Sequence, residues 1–297
     1  MSLPAIRQEP WFDNAAYPFT SRFLDVGVGR MHYVDEGSGD VLLMVHGTPS
    51  WSFEFRQLIA DLRSRWRVVA PDLLGFGLSD KPQSFGYRLA DHTRALEEFV
   101  AKLGLTRFRL LVHDFGGPVG LPLALEQPRR VEKLVILNSW LWALDSVDKA
   151  VAGQKRILGS GLMRWLYQRH NFSARVIVKS AWGRHRALSK SVHAHYTNMF
   201  PTPADRVGTL GFLRSVVEEG PYLDALWQRR AALEDIPKLL IWGLADGFVK
   251  PVHLAHWKNA FPSLRVEELT HVGHFPADEA GELVTPLVRA FLQDSTA

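Results

Sequence analysis

The stretch Leu110-Leu111-Val112-His113-Asp114-Phe115-Gly116-Gly117 decides how this chain is read. An apolar, strand-like run beginning at Phe108 ends at His113-Asp114, and a helix-like run follows over 121–126. Strand, sharp turn and helix in that order form a nucleophile elbow, which lifts one side chain clear of the backbone at the end of a sheet. Gly116 and Gly117 supply the small residues for close helix–strand approach, while Val112 stands where the common pattern has its first glycine. The usual elbow occupant is serine; here it is Asp114. A carboxylate suits displacement at a saturated carbon better than attack on an ester or amide carbonyl. Taken alone, Asp114 reads equally as a helix N-cap, so the rest of the chain has to choose between the two.

Outward from the elbow, strands and helices alternate. Residues 23–28 and 30–35 alternate about Gly29 as an opening hairpin, and 41–45 is a buried strand ending at His46-Gly47. The spacing of Trp51, Phe55, Leu58 and Leu62 predicts a helix over 51–62. A strand over 67–70 stops at Pro71-Asp72, and 89–103 reads as a helix closed by Gly104. Beyond the elbow, 134–137 is a short apolar strand, 239–242 and 264–269 are two more, 252–261 is a helix, and a last helix starts near Asp278. Residues 140–230 break the rhythm, being rich in Trp, Arg and helical spacing without a clear buried strand. Such alternation predicts an α/β protein with a mostly parallel eight-stranded sheet covered by helices on both faces. It places the core in 1–139 and 231–297, with 140–230 a helical lid inserted between the sixth and seventh strands, over the strand ends where such sheets hold their sites.

Composition narrows the class. The 297 residues are 46% apolar and 22% charged, as in ordinary globular proteins, and suffice to bury a large core. Without cysteine there is neither a disulfide framework nor a thiolate nucleophile. No apolar stretch of signal-peptide or membrane-spanning length occurs, and the opening 1–14 lacks one, which makes a cytoplasmic location the expectation. The net charge of +4 is unevenly spread: 151–200 holds nine Lys or Arg and no Asp or Glu. That segment is a solvated helical face or a patch that attracts anions. No nucleic-acid motif accompanies it. His193 with His195, and His253 with His256, lack nearby carboxylates in a zinc-like pattern, and Gly75-Phe76-Gly77 lacks the strand and helix of a nucleotide loop. No cofactor or metal is expected; the partners are a small apolar substrate and water, with no membrane or nucleic acid.

Three polar groups fall just after strands in the order Asp114, Asp246, His274, the nucleophile–acid–histidine order of the α/β-hydrolase arrangement. Asp114 would attack carbon and form an ester, His274 would take a proton from the water that hydrolyses it, and Asp246 would hold the imidazole. The backbone N–H groups of Thr48 and Phe115 are the expected oxyanion donors. Bland alternatives exist singly: Asp246 in Ala245-Asp246-Gly247 as a turn residue, His271 in place of His274. His46 and His113 are expected to bond backbone near the site. The joint occurrence of all three at strand ends favours the catalytic reading.

On these residues the chain resembles the haloalkane dehalogenases, a branch of the α/β-hydrolase superfamily close to the epoxide hydrolases. The resemblance runs from about residue 20 to 294 and rests on His46-Gly47-Thr48-Pro49-Ser50-Trp51, Pro71-Asp72-Leu73-Leu74-Gly75-Phe76-Gly77-Leu78-Ser79-Asp80-Lys81-Pro82, His113-Asp114-Phe115-Gly116-Gly117 and Tyr196-Thr197-Asn198-Met199-Phe200-Pro201. It implies displacement of halide from a small apolar halogenated compound through an aspartyl ester. Such enzymes carry Trp after the nucleophile, whose indole N–H holds the departing halide; this chain has Phe115, which has no N–H. A second donor in the family is Asn after His-Gly, where this chain has Thr48, or a lid Trp, where Trp165 stands ahead of Trp182; Trp140 and Trp142 are further indole candidates. The alternative is an epoxide hydrolase, whose alkoxide needs a lid tyrosine, and of Tyr167, Tyr196 and Tyr222 the resemblance favours Tyr196. A further alternative is a ligand-binding protein that keeps the fold without turnover.

Overall fold

In the computed structural model, residues 6–294 are described; the first five residues of the opening stretch lie outside the described residues. Eight strands form one sheet: β1 (Ser21–Asp25), β2 (Arg30–Glu36), β3 (Val41–Val45), β4 (Arg67–Pro71), β5 (Phe108–Asp114), β6 (Val131–Ser139), β7 (Lys238–Gly243) and β8 (Arg265–Leu269). Their spatial order is β1-β2-β4-β3-β5-β6-β7-β8. β2 pairs antiparallel with both β1 and β4, and all other neighbours are parallel. The inner strands read as unbroken apolar runs because helices cover both sheet faces; β7 is buried at every position.

Helices fill the connections as the alternation predicts. A 3-10 turn (Ser52–Phe55) leads into α1 (Arg56–Leu62), so the helix expected over 51–62 starts in a tighter winding. α2 (Leu89–Lys102) buries Leu89, His92, Leu96, Phe99 and Val100 on one stripe. α3 (Gly116–Glu126) is buried from Gly116 to Leu125 and packs over β3, β5 and β6, as a helix apolar on all sides must. Between β6 and β7 come α4 (Leu144–Val147), α5 (Lys149–Leu158), α6 (Gly161–His170), a π-helical turn (Ser173–Ile177), α7 (Val178–Ala181), α8 (Lys190–Thr197), α9 (Val207–Glu218) and α10 (Gly220–Gln228). α11 (Pro251–Ala260) joins β7 to β8. The last helix expected from Asp278 is two, α12 (Pro276–Glu279) and α13 (Gly281–Gln293), the second packing on α1 and β7. Among the described residues no helix is long and apolar enough to cross a membrane.

The loop after β4 is tied down by a buried carboxylate. Asp72 meets His32 Nδ1 at 2.8 Å and accepts the backbone N–H groups of Ser52 at 2.8 Å and Leu78 at 2.9 Å. Burial alone would raise the Asp72 carboxyl, but these partners hold it below the usual carboxylate range. Asp72 thereby joins β2, the turn before α1 and its own loop at the strand ends that carry the site.

Candidate active site

Asp114 closes β5 with φ +50°, in the left-handed region that elbows impose on their nucleophile and that Asp tolerates better than most residues. Two glycines beside it leave no room for a Cβ. A methyl on Gly47 would stand 2.3 Å from Asp114 Oδ2, and one on Gly116 would stand 2.1 Å from the carbonyl oxygen of Val45. The glycines therefore let β3 and α3 close on the carboxylate. The neighbouring strand yields too: β6 inserts Asn138, itself at φ +32°, as an extra residue where the β5–β6 register shifts.

Four of the predicted residues meet here. Thr48 N–H donates to Asp114 Oδ2 at 2.7 Å, and His274 Nε2 lies 3.3 Å from Asp114 Oδ1. On the far side of the imidazole, Nδ1 is 2.6 Å from Asp246 Oδ2. Asp246 accepts further bonds from Phe248 N–H at 2.7 Å, Val249 N–H at 3.1 Å and the Asn138 side-chain amide at 2.9 Å. Burial would raise the Asp246 carboxyl, yet the charge and hydrogen bond of His274, with the Phe248 and Asn138 donors, hold it below the usual range. Burial works in the other direction on His274, lowering it, but the Asp246 and Asp114 carboxylates prevail and raise it well above its ordinary value. Phe115 is the N-cap residue of α3, at the helix end where backbone donors have no intrahelical acceptor. His271, the other histidine of the loop, is exposed. As expected, His46 bonds backbone, meeting Gly47 O at 2.7 Å and accepting Leu73 N–H at 2.9 Å.

The triad opens into a cavity of about 230 Å³ lined by Phe115, Trp140, Val151, Phe212, Val216 and Phe248, with Tyr167, Ser173 and Thr209 as its inner polar groups and Asp148, Gln154 and Lys250 at one side. A larger cleft of about 600 Å³, lined by Trp11, Lys81, Met199 and Asp205, is more polar and does not include the triad. Tyr167 keeps its proton, since burial, opposed by a Ser173 hydrogen bond and aided by Asp114, pushes it up to about 12.

Of the expected leaving-group residues, only Trp140 lines this cavity, and three positions need correction. Trp165 is 50% exposed on α6, its ring tilted against that of His170 at 4.3 Å. Trp142 donates its indole N–H to His253 Nδ1 at 3.1 Å inside the core. Tyr196 is buried with its O–H donated to Asp278 Oδ2 at 2.6 Å, outside the cavity. Trp165 and Tyr196 lie on helices and Trp142 in the loop after β6, and the sequence pattern did not give the direction of any of the three side chains. Trp140 is 2% exposed, packs edge-on against Phe115 at 5.0 Å, and its Nε1 has no hydrogen-bond partner among the described residues. The Thr48 hydroxyl, in the same wall, is likewise unpartnered. Asn138, whose amide supports the acid, was not among the expected site residues; a polar residue at the end of a buried strand was the available signal.

The family described as "alpha/beta hydrolase fold" matches residues 40–280. A haloalkane dehalogenase 2 of Mycobacterium tuberculosis is 37% identical over 278 residues, covering 93% of this chain and 96% of its own. A cis-3-alkyl-4-alkyloxetan-2-one decarboxylase of Shewanella oneidensis is 30% identical, covering 94% of this chain and 90% of its own. Among solved structures, a putative ancestral haloalkane dehalogenase superposes with a TM-score of 0.81 at 27% identity, over 91% of this chain and 98% of that one. With the elbow aspartate, the histidine and the acid assembled on this sheet, the chain belongs to the α/β-hydrolase fold family, in its haloalkane dehalogenase-like branch.

Proposed function

We propose that this protein hydrolyses small apolar haloalkanes through an ester of Asp114. The observation that carries the reading is the carboxylate itself, held at Oδ2 by Thr48 N–H and left at Oδ1 facing His274 and an apolar cavity. Oδ1 attacks the carbon bearing the halogen; the new C–O bond forms as the carbon–halogen bond breaks, and halide leaves with the bonding pair. Oδ2, already at the Thr48 N–H, becomes the ester carbonyl oxygen. Water then attacks the ester carbon as its proton passes to His274 Nε2, the oxyanion rests on Thr48 N–H and Phe115 N–H, and collapse releases the alcohol and restores the carboxylate. The proton on His274 leaves to solvent, so haloalkane and water give alcohol, halide and a proton.

The raised basicity of His274 fits this order. While Asp114 is a carboxylate its charge helps keep His274 protonated. Esterification removes that charge, lowers the basicity of the imidazole and frees it to act as general base in the second step. Halide binding falls to Trp140 Nε1–H and the Thr48 hydroxyl, the two unpartnered donors beside Phe115. Residues 140–230 act as the lid that keeps the cavity dry over a core formed by the rest of the chain.

Single-turnover mass spectrometry of His274→Phe mixed with 1-bromohexane tests the reading. The expected result is hexylated Asp114 with one equivalent of bromide, stalled before hydrolysis. No adduct and no bromide would overturn it. An adduct only from a cis-3,4-dialkyl-oxetan-2-one would also overturn it, and would move the chain to the chemistry named for the Shewanella relative. The epoxide alternative has lost the tyrosine it relied on, since Tyr196 O–H is committed to Asp278.

A further inference from the structure

A second histidine lies directly behind the base. His113 precedes the nucleophile on β5 and is 1% exposed; Glu54, in the 3-10 turn before α1, is 1% exposed. His113 Nδ1 is 3.1 Å from both Glu54 oxygens, and its Nε2 is 2.6 Å from the backbone carbonyl oxygen of His274. Two carboxylate oxygens against one ring nitrogen, deep in the core, is an expensive arrangement for a purely apolar region to keep. The mechanism above uses neither residue.

A carbonyl oxygen only accepts, so His113 Nε2 carries a hydrogen. A hydrogen also lies between Nδ1 and Glu54, on one or the other, because two facing lone pairs at that distance would repel. Whether it is written as imidazolium with carboxylate or imidazole with carboxylic acid, the pair is neutral overall and Nε2–H is present. Without Glu54 the neutral ring is free to move its hydrogen to Nδ1, which would turn an Nε2 lone pair toward the His274 carbonyl.

That carbonyl completes the holding of the base. His274 N–H donates to Ala181 O at 2.8 Å, at the end of α7 in the helical insertion. Its Nδ1 meets Asp246 and its Nε2 faces Asp114. The carbonyl, given to His113, is the fourth and last polar group of the residue, and the one held from beneath.

We propose that Glu54 and His113 are positioning residues for the general base: Glu54 fixes the Nε2–H form of His113, which pins the main chain of His274. The inference rests on the reading of His274 as the base of ester hydrolysis. It predicts a split between the two half-reactions. Alkylation needs Asp114 and the halide donors alone, whereas hydrolysis needs His274 in register with water, and displacement of a catalytic group by about 1 Å can cost about 10²-fold.

Rapid-quench kinetics with 1-bromohexane, following bromide and hexanol separately, tests this in the full chain. Glu54→Leu is expected to keep the bromide burst within about threefold while hexanol formation slows at least about tenfold, with the hexyl ester accumulating. Glu54→Gln is expected to recover hydrolysis to within about threefold, because the amide N–H donates to Nδ1 and keeps Nε2–H. Should Glu54→Leu fail to fold, the double variant Glu54→Leu/His113→Leu replaces both polar partners by apolar ones, a change that is often near neutral for stability. The same split is expected there. Hydrolysis within about twofold of the unaltered protein in any folded leucine variant would overturn the proposal. So would equal loss of both steps, or a Gln variant no better than Leu. If the unaltered protein itself releases no bromide, it is the function proposed above that fails.

Discussion

Position 115 sets a phenyl ring directly after the nucleophile, stacked on Phe212 at 4.4 Å and edge-on to Trp140 at 5.0 Å. Phe115 thus helps fill the cavity, and on the proposed function the hydrogen bonds to the halide come from Trp140 and Thr48. A buried indole N–H without a partner costs about 1–3 kcal/mol, a penalty that a bound halide would relieve. Trp140→Phe should therefore weaken bromide binding about tenfold or more, read as loss of bromide-dependent protein fluorescence change, and slow the alkylation burst. Thr48→Val should do less, since its backbone N–H stays in place. Unchanged bromide affinity in Trp140→Phe would remove Trp140 from the halide site. Charge on Asp114 is the second lever at this scale. Asp114→Asn keeps the shape of the carboxylate but, like the ester, removes its charge, so the His274 imidazole should titrate at lower pH than in the unaltered protein by NMR. The sign for stability follows. A raised His274 contributes stabilisation that is fully present below its ordinary 6.5 and is lost as pH climbs through its raised value, and Asp114→Asn should shrink that alkaline loss. No change in either titration would break the link between esterification and base strength.

α2 carries a histidine that its pattern did not call for. His92 sits on the buried stripe among Phe76, Phe85, Tyr87 and Phe212, with neither ring nitrogen partnered among the described residues. Burial, and then the nearby His46, pushes it down to about 3. His92→Phe should raise stability by about 1–3 kcal/mol, and by more at pH 5 than at pH 8. The reason is that the unfolded chain takes up a proton near the ordinary value of 6.5 and the folded chain does not. Thermal unfolding at the two pH values checks it, and an equal or negative shift at both would contradict it. His92 also marks what could be read beforehand. β3, β5 and β7 were legible because strands buried on both faces are continuous apolar runs, Asp114 because it ends such a run and Asp246 because it lies in the loop after one; His274 follows β8, whose Arg265 and Glu268 are exposed, and was legible from its place in the nucleophile–acid–histidine order. The bulge at Asn138 was not, since it is made by the register of β6 against β5 and leaves no mark in either strand alone. Nor could spacing separate Trp140 from Trp142 and Trp165, because it places an indole on a helix or loop without saying which wall its N–H faces. Glu54 left a trace, a lone acid within Trp51-Ser52-Phe53-Glu54-Phe55, whose meaning needed His113 and His274 in view.

Across the whole molecule, one ion pair at the cavity wall ties the helices between β6 and β7 to the loop after β7. Asp148 begins α5, accepting Ala150 N–H at 3.0 Å, and takes Lys250 Nζ at 2.7 Å from the loop that follows Asp246. Lys250 is partly exposed, so the pair is worth only about 0–1 kcal/mol and weakens with salt. Its effect should be on passage and not on stability. Lys250→Met keeps the length of the stem and drops the charge, which frees the start of α5 to move from the core loop. The melting temperature should stay within about 2 °C. The ratio of kcat/KM for 1-bromodecane to that for 1-bromobutane should rise about threefold or more, because the longer chain reaches the polar side of a cavity of about 230 Å³. Added salt at 1 M should raise the same ratio in the unaltered protein and leave it flat in the variant, since only the unaltered protein has a pair to screen. A ratio that ignores both the substitution and the salt would mean that Asp148 and Lys250 hold the surface alone, and that chain length is selected deeper, at Phe212 and Val216.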